Sequence, residues 1–391
     1  MTPRQADGGG AVRVAELLDA ARAATSLDYF GEDSFREGLE ILVDALDVEA
    51  DLNERGRQTA ERMIVGSLTM RLRIEECYRE HPEIDDQEVP APVFQLGLPR
   101  TGTTALAHLL AQDPAIRFLR WWESSAPAPP PDPARTGDPR IAQAEAFFAR
   151  QDEMLPKMRA MLPLSAEGPA ECLPLLGLGF TSQLFDGGHK VPSYSRWLLQ
   201  ADLEPAYRYH KRVLKLLQWR TPPNRWRLRT PGHMVGIEAL DKVYPDAQFV
   251  MTHRDVSSVV PSLADLHTTL AAGHTDHPDP RYFGVISTEV WATALERTIA
   301  FRDNGRENRF HDLGFRELQR DPVGAVRELY TSLGEPLAPA VEERMARWWT
   351  ENPRDRYGNH TYTAEDFGLS VGGLRERFAF YADRFDVPLD R

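Results

Sequence analysis

The sequence predicts an α/β fold: a P-loop-type parallel sheet flanked by helices, with an added N-terminal helical region. Three observations predict it. The apolar run "PVFQLGL" at 92–98 enters a glycine loop and then "TTALAHLLAQ", a good helix, and strand, glycine loop, helix is the context a phosphate-binding loop requires. The segment "RWRLRTPGHMVGIEALDKVYPDAQFVMTHRDVSSVVPSL" reads as strand 225–229, helix 232–243, strand 247–252 and a helix from 256. Strands that alternate with helices imply a parallel sheet covered on both faces. Finally, helical apolar spacing recurs at 11–24, 34–47 and 51–81 with no strand pattern between.

Taken in order, residues 1–88 form the N-terminal helical region, and "HPEIDDQEVPAP" ends its third helix. Residues 89–350 form the α/β core. Within it, "SSAPAPPPDPARTGDP" at 124–139 is too proline-rich for a helix or central strand and is expected as an ordered surface loop or a lid. Helices are expected at 140–160, 203–219, 288–303, 322–333 and 339–350, with a short strand at 309–313. The remaining 351–391 is expected to pack on the core, with a helix N-cap at Thr363. No internal repeat is visible.

The bulk numbers narrow the function classes. A chain of 391 residues with 42% hydrophobic and 27% charged residues reads as a globular protein with a large core. A net charge of −13 argues against a general binder of nucleic acid or anionic membranes, so any basic site is local. No apolar run approaches the ~18 residues that cross a bilayer, and "MTPRQADGGGAVRVAELLDA" has no apolar signal-peptide core. Cys77 and Cys172 make neither a disulfide framework nor a metal cluster. A cytoplasmic protein is expected.

"FQLGLPRTGTTAL", Phe94 to Leu106, has the glycine spacing of G-x-x-x-x-G-K-[ST], at Gly97 and Gly102. Thr104 stands where the metal-binding hydroxyl would be, but Thr103 replaces the lysine and Arg100 precedes the second glycine by two. A glycine loop at a helix N-terminus offers N–H groups and a positive dipole end to an anion. Without the lysine, and without an acidic strand end suited to Mg²⁺, the loop suits a metal-free anion, with Arg100, Thr101, Thr103 and Thr104 as donors. "HRDVSSVVPS" supplies the second signal: Arg254 ends a strand, and Ser262 follows eight residues later on the next helix.

Together these motifs resemble the sulfotransferases that use 3′-phosphoadenosine 5′-phosphosulfate (PAPS). The long segment from 225, "YHKRVLKLLQWR" and "NHTYTAEDFGLS" are similar to a bacterial branch of that family, and the resemblance spans residues 90–385. It implies that "PRTGTT", including Gly102, holds the 5′-phosphosulfate and that Arg254 and Ser262 hold the 3′-phosphate. One departure is Arg229 in place of the branch's usual lysine, which keeps the charge on a planar, bidentate group. PAPS is then the co-substrate, and no metal is expected.

Sulfuryl transfer needs in-line placement, charge stabilisation at the leaving oxygen, and a base for the acceptor hydroxyl. Arg229 is expected at the leaving oxygen. Glu123 in "FLRWWESS" is the expected base, since a second strand after the loop helix would return there and related branches carry a glutamate in a similar region; a surface or N-cap glutamate is the other reading. His233 is the rival base, as in the cytosolic branch, whereas His253 is expected to point to the opposite strand face from Arg254 and His108 to pack. Glu167 and Glu171 are read as loop carboxylates near the acceptor. Arg354 and Arg356 are candidates for a basic loop closing over the 3′-phosphate. The tryptophans are mainly core candidates, one of them available to stack on adenine.

The apolar surroundings of the proline-rich loop and of 160–200 point to a small, hydrophobic hydroxylated molecule or lipid as acceptor; a carbohydrate or peptide, and an oligomeric assembly, stay open. "HRD" at 253–255 and "DFG" at 366–368 are decoys for a protein kinase: Val260 stands where the catalytic-loop asparagine belongs. The alternatives to sulfuryl transfer are a P-loop nucleotide kinase-like enzyme and a catalytically inactive nucleotide-binding scaffold.

Overall fold

The structure is a computed structural model that describes residues 9–134, 137–154, 161, 164–221, 224–353 and 362–390. Three helices come first: α1 (Gly9–Thr25), α2 (Arg36–Val48) and α3 (Glu54–Glu80). In α2 the buried Leu39, Leu42, Val43 and Leu46 follow helical spacing and make one apolar stripe. Each such burial contributes roughly 1.5–3 kcal/mol. The Asn53 side chain caps α3 by accepting from the Gly56 amide.

The sheet has five parallel strands: β1 (Val93–Gly97), β2 (Ile116–Phe118), β3 (Arg225–Arg229), β4 (Gln248–His253) and β5 (Phe310–Gly314). Their order is β2-β3-β1-β4-β5, so β1 is central. Alternation along β1 and β4 splits the core. Phe94, Leu96, Phe249 and Met251 join a large cluster that also contains the buried residues of α1, α2 and α3. Val93 and Val250 point the other way, among Leu106, Leu109, Val326, Leu329 and Met345. The N-terminal helices therefore share one continuous hydrophobic cluster with the sheet.

The helices that bear on the site are α4 (Thr103–Leu110), α5 (Trp121–Ser125), α6 (Pro139–Met154), α7 (Glu204–Gln218), α8 (Val256–Ala271), α9 (Pro280–Asp303), α10 (Phe315–Arg320), α11 (Pro322–Ser332), α12 (Pro339–Glu351), α13 (Val371–Arg377) and α14 (Ala379–Arg384). Differences from expectation are local. The helix expected over 232–243 is a 3-10 turn at Pro231–Met234 followed by a short helix, Ile237–Val243. Helix α9 starts at Pro280 rather than 288, because Asp279 caps it by accepting from the Tyr282 amide and a proline fits its first turn. Thr363 is not a helix N-cap: its amide donates to Asp366, and Ser370 caps α13 instead.

Candidate functional site

The loop after β1 is set by close backbone approach. Gly97 has φ +114°, and a Cβ there would lie 2.4 Å from the Thr252 hydroxyl on β4. That contact lets the Thr252 hydroxyl sit 2.6 Å from the Thr101 hydroxyl, while Thr101 also donates to the Leu98 carbonyl at 2.7 Å. Thr101 is thus fully buried, and its hydroxyl closes the loop rather than facing a ligand, a correction to its expected role as a side-chain donor. Gly102 follows with φ +93°, and α4 begins at Thr103. The first N–H groups of α4 have no partner within the helix, which leaves donors and a positive dipole end at the loop.

Arg100 adopts φ +67°, a left-handed conformation that costs a non-glycine residue roughly 1–2 kcal/mol. Three hydrogen bonds offset it. Nη1 donates to the Met161 carbonyl at 2.6 Å, Nε donates to Ser262 Oγ at 3.2 Å, and the Arg100 carbonyl accepts from Arg254 Nη1 at 3.1 Å. Arg100, Ser262 and Arg254 are therefore brought together, though 154 and 162 residues separate the paired positions.

On the β3 side lies a second cluster. Arg229 ends β3 and is almost fully buried. Its Nη1 donates to Glu171 at 3.2 Å and to Thr104 Oγ1 at 3.3 Å, and Nη2 donates to the Pro169 carbonyl at 3.1 Å. Nε is buried and has no partner. Burial pulls the Arg229 pKa below the usual arginine value, with the Glu171 carboxylate opposing it. Glu171 also accepts from the Thr230 hydroxyl at 3.1 Å and keeps 28% of its side chain exposed. One turn on from Thr104, His108 stacks on Trp348 with ring centroids 5.1 Å apart. Burial, then the Arg229 charge, push its pKa down to about 4.

The expected bases lie elsewhere. Glu123 has no exposed surface. Arg117 grips both its oxygens, at 2.9 and 2.6 Å, and the Arg120 amide donates to it at 3.0 Å, closing a capping box on α5. Its carboxylate is spent on structure at the third position of α5, so it is neither the expected base nor the surface or N-cap glutamate of the other reading. His233 is also fully buried: Nδ1 lies 3.0 Å from the Tyr207 hydroxyl, and Phe94 packs edge-on at 4.9 Å. Burial, then His210, push its pKa well below the usual value. It is a core imidazole, not a base facing substrate. His253 sits between Tyr381 and Asp312. Arg354 and Arg356 lie outside the described residues.

Sequence reasoning misses Asp390 and Arg316. Asp390 accepts from Arg254 Nε at 2.9 Å and stands 3.5 Å from Arg316 Nη2. No periodicity or motif marks either residue, and Asp390 lies 136 positions from Arg254. Glu171 is expected as a loop carboxylate near the acceptor, but its "ECL" setting gives no sign that it meets Arg229. Among the described residues, no three His, Cys, Asp or Glu are grouped to hold a metal ion. Asp255, the acidic residue that follows β4, caps α8 by accepting from the Ser257 amide.

A sequence model of the sulfotransferase family matches residues 92–339. The omega-hydroxy-beta-dihydromenaquinone-9 sulfotransferase Stf3 of Mycobacterium tuberculosis is 30% identical over 278 residues. That alignment covers 65% of this chain and 66% of the relative, just under two thirds of its length. The crystal structure of sulfotransferase STF9 from Mycobacterium avium superposes with a TM-score of 0.87 at 32% identity, covering 96% of this chain and 97% of the other. For sulfotransferase STF1 from Mycobacterium tuberculosis H37Rv the TM-score is 0.79 at 31% identity, with 94% and 98% covered.

Proposed function

Because this chain belongs to the sulfotransferase family, we propose that it moves a sulfuryl group from PAPS to the hydroxyl of a small hydrophobic acceptor by direct in-line transfer. The observation that carries this reading is the Thr104–Arg229–Glu171 cluster at the mouth of the glycine loop. The residues fit an anionic donor: a loop free of Cβ atoms at Gly97 and Gly102, the N-terminus of α4, and a buried Arg229 Nε without a partner. The loop and Arg229 would hold the phosphosulfate end, and Arg254 with Ser262 the 3′-phosphate.

PAPS supplies the sulfuryl group on a phosphate leaving group. In transfer the acceptor oxygen bonds to sulfur as the sulfur–oxygen bond to the 5′-phosphate breaks, and 3′,5′-ADP leaves. Arg229 stabilises charge on the departing oxygen. Glu171 replaces Glu123 as the base: it is the partly exposed carboxylate beside Arg229, and it takes the acceptor proton. Pairing with Arg229 orients it.

A hydrophobic acceptor is supported by one observation: the mycobacterial relative is named for a menaquinone derivative.

The test combines binding and turnover. Calorimetry should give 3′,5′-ADP binding that survives EDTA, and mass spectrometry of a lipid extract incubated with labelled PAPS should give a sulfated product. Mg²⁺-dependent ATP binding without 3′,5′-ADP binding would overturn the reading in favour of a nucleotide kinase-like enzyme.

A further inference from the structure

We infer that Asp390 is an internal occupant of the 3′-phosphate site, displaced when the donor binds, and that Arg316 is a further ligand of that phosphate. The inference rests on the donor reading above. It starts from where two guanidiniums converge. Arg254 comes from the end of β4 and Arg316 from α10, and both address one carboxylate: Arg254 Nε donates to Asp390 Oδ2 at 2.9 Å, and Arg316 Nη2 stands 3.5 Å from Oδ1. Arg316 also donates to the Leu389 carbonyl. Two arginines from separate elements around one anion form the kind of site that a phosphate monoester, with more charge and more acceptor oxygens than a carboxylate, fills well.

The same Arg254 is joined through Arg100 to Ser262. The Asp390 carboxylate therefore sits on the residue assigned to the 3′-phosphate, and the two anions cannot share Arg254 Nε. The strap carrying Asp390 is held by polar contacts rather than by packing. Val387 is buried, but Pro388 and Leu389 are exposed. Besides Arg254 and Arg316, it is tied beyond Val387 by the Asp390 amide, which donates to Asp255 at 2.9 Å, and by Arg375, whose Nη2 donates to Asp255 at 2.9 Å and to the Asp390 carbonyl at 3.4 Å. A strap anchored at Val387 can leave Arg254 without unpacking the core.

This arrangement makes donor affinity depend on the open fraction. If the strap is closed in most molecules, the apparent affinity falls by that fraction, and removing the competing charge restores it. Asp390→Asn keeps the shape and drops the charge. It should tighten 3′,5′-ADP roughly three- to tenfold while leaving 5′-AMP unchanged, because 5′-AMP has no 3′-phosphate to compete. Asp390→Glu should retain wild-type affinity. In the Asp390→Asn background, Arg316→Ala should weaken 3′,5′-ADP selectively. Hydrogen exchange at the Asp390 amide, which donates to Asp255, should speed up with 3′,5′-ADP and not with 5′-AMP. A wild-type protein that prefers 3′,5′-ADP, with Asp390→Asn leaving that affinity unchanged or weaker, overturns the strap. A wild-type protein with no such preference overturns the donor reading beneath it.

Discussion

Arg229 and Glu171 meet at 3.2 Å beyond the end of β3, and the guanidinium nitrogen that makes this contact also reaches the Thr104 hydroxyl at 3.3 Å. One nitrogen therefore joins a carboxylate on the 165–171 loop to the first turn of α4. Arg229 Nε, which has no partner among the described residues, stays available to an anion in the glycine loop while Nη1 keeps Glu171.

Glu171→Gln is expected to lower turnover about 10²-fold or more while nearly preserving 3′,5′-ADP affinity, since glutamine keeps the hydrogen bonds but cannot take the proton. An acidic phenol acceptor should suffer less than an alcohol. Single-turnover rates at saturating donor provide the measurement; a rate close to wild type would remove Glu171 from the chemistry.

Glu123→Gln should act on stability instead. It leaves the Arg117 guanidinium buried with half its partner gone, and breaking one side of such a pair costs about 3–5 kcal/mol. Urea denaturation would read this. Unchanged stability with collapsed turnover would return Glu123 to the role of base.

Arg254→Ala should weaken 3′,5′-ADP far more than adenosine 5′-phosphosulfate, which lacks the 3′-phosphate. A charge-assisted hydrogen bond of about 1.5–3 kcal/mol corresponds to roughly ten- to a hundredfold. Equal weakening of both ligands would deny Arg254 that phosphate.

Stability should also fall on mild acidification. Buried His189, His210 and His233 are held neutral: burial pushes the first down to about 4 and the second to about 3, and drives His233 well below its usual value. In the unfolded chain each takes a proton near pH 6.5. Their folded pKa values are depressed, so the stabilising difference is whole above pH 6.5 and is lost as pH falls toward 4 and 3. Each histidine contributes up to about 1.4 kcal/mol per pH unit within that window. Denaturant curves at pH 7.5, 6 and 5 should show the decline; a flat profile would mean these imidazoles protonate in the folded protein.

The sheet was legible because its strands carry the signal locally. The expected strand at 225–229 has the bounds of β3, and those at 92–98, 247–252 and 309–313 differ from β1, β4 and β5 by a residue or so at an end. Strand β2 is only three residues long, too short for any period to show. The loop's backbone was legible for the same reason, since Gly97 and Gly102 answer a local need for positive φ. The base was not. Nothing local separates Glu123, in α5, from Glu171, in a loop; what separates them is a tertiary partner: Arg117 seals one, while Arg229 leaves the other partly open. Asp390 was hidden by distance along the chain.

The parallel ladder turns this end of the sheet into a ruler. Gln95 on β1 is in register with Arg229 on β3, and Gly97 on β1 with Thr252 on β4, two residues before Arg254. Neighbouring strands are ~4.8 Å apart, so the gap between the two arginine stations is fixed by backbone hydrogen bonds rather than by flexible side chains. A ligand whose charged ends are spaced differently would have to shift a strand, and a one-residue slip turns every buried side chain of that strand to the wrong face. On the proposed donor reading, changes in the surrounding loops would alter what is accepted at the Arg229 end, while the spacing of the two arginine stations stays set by the sheet.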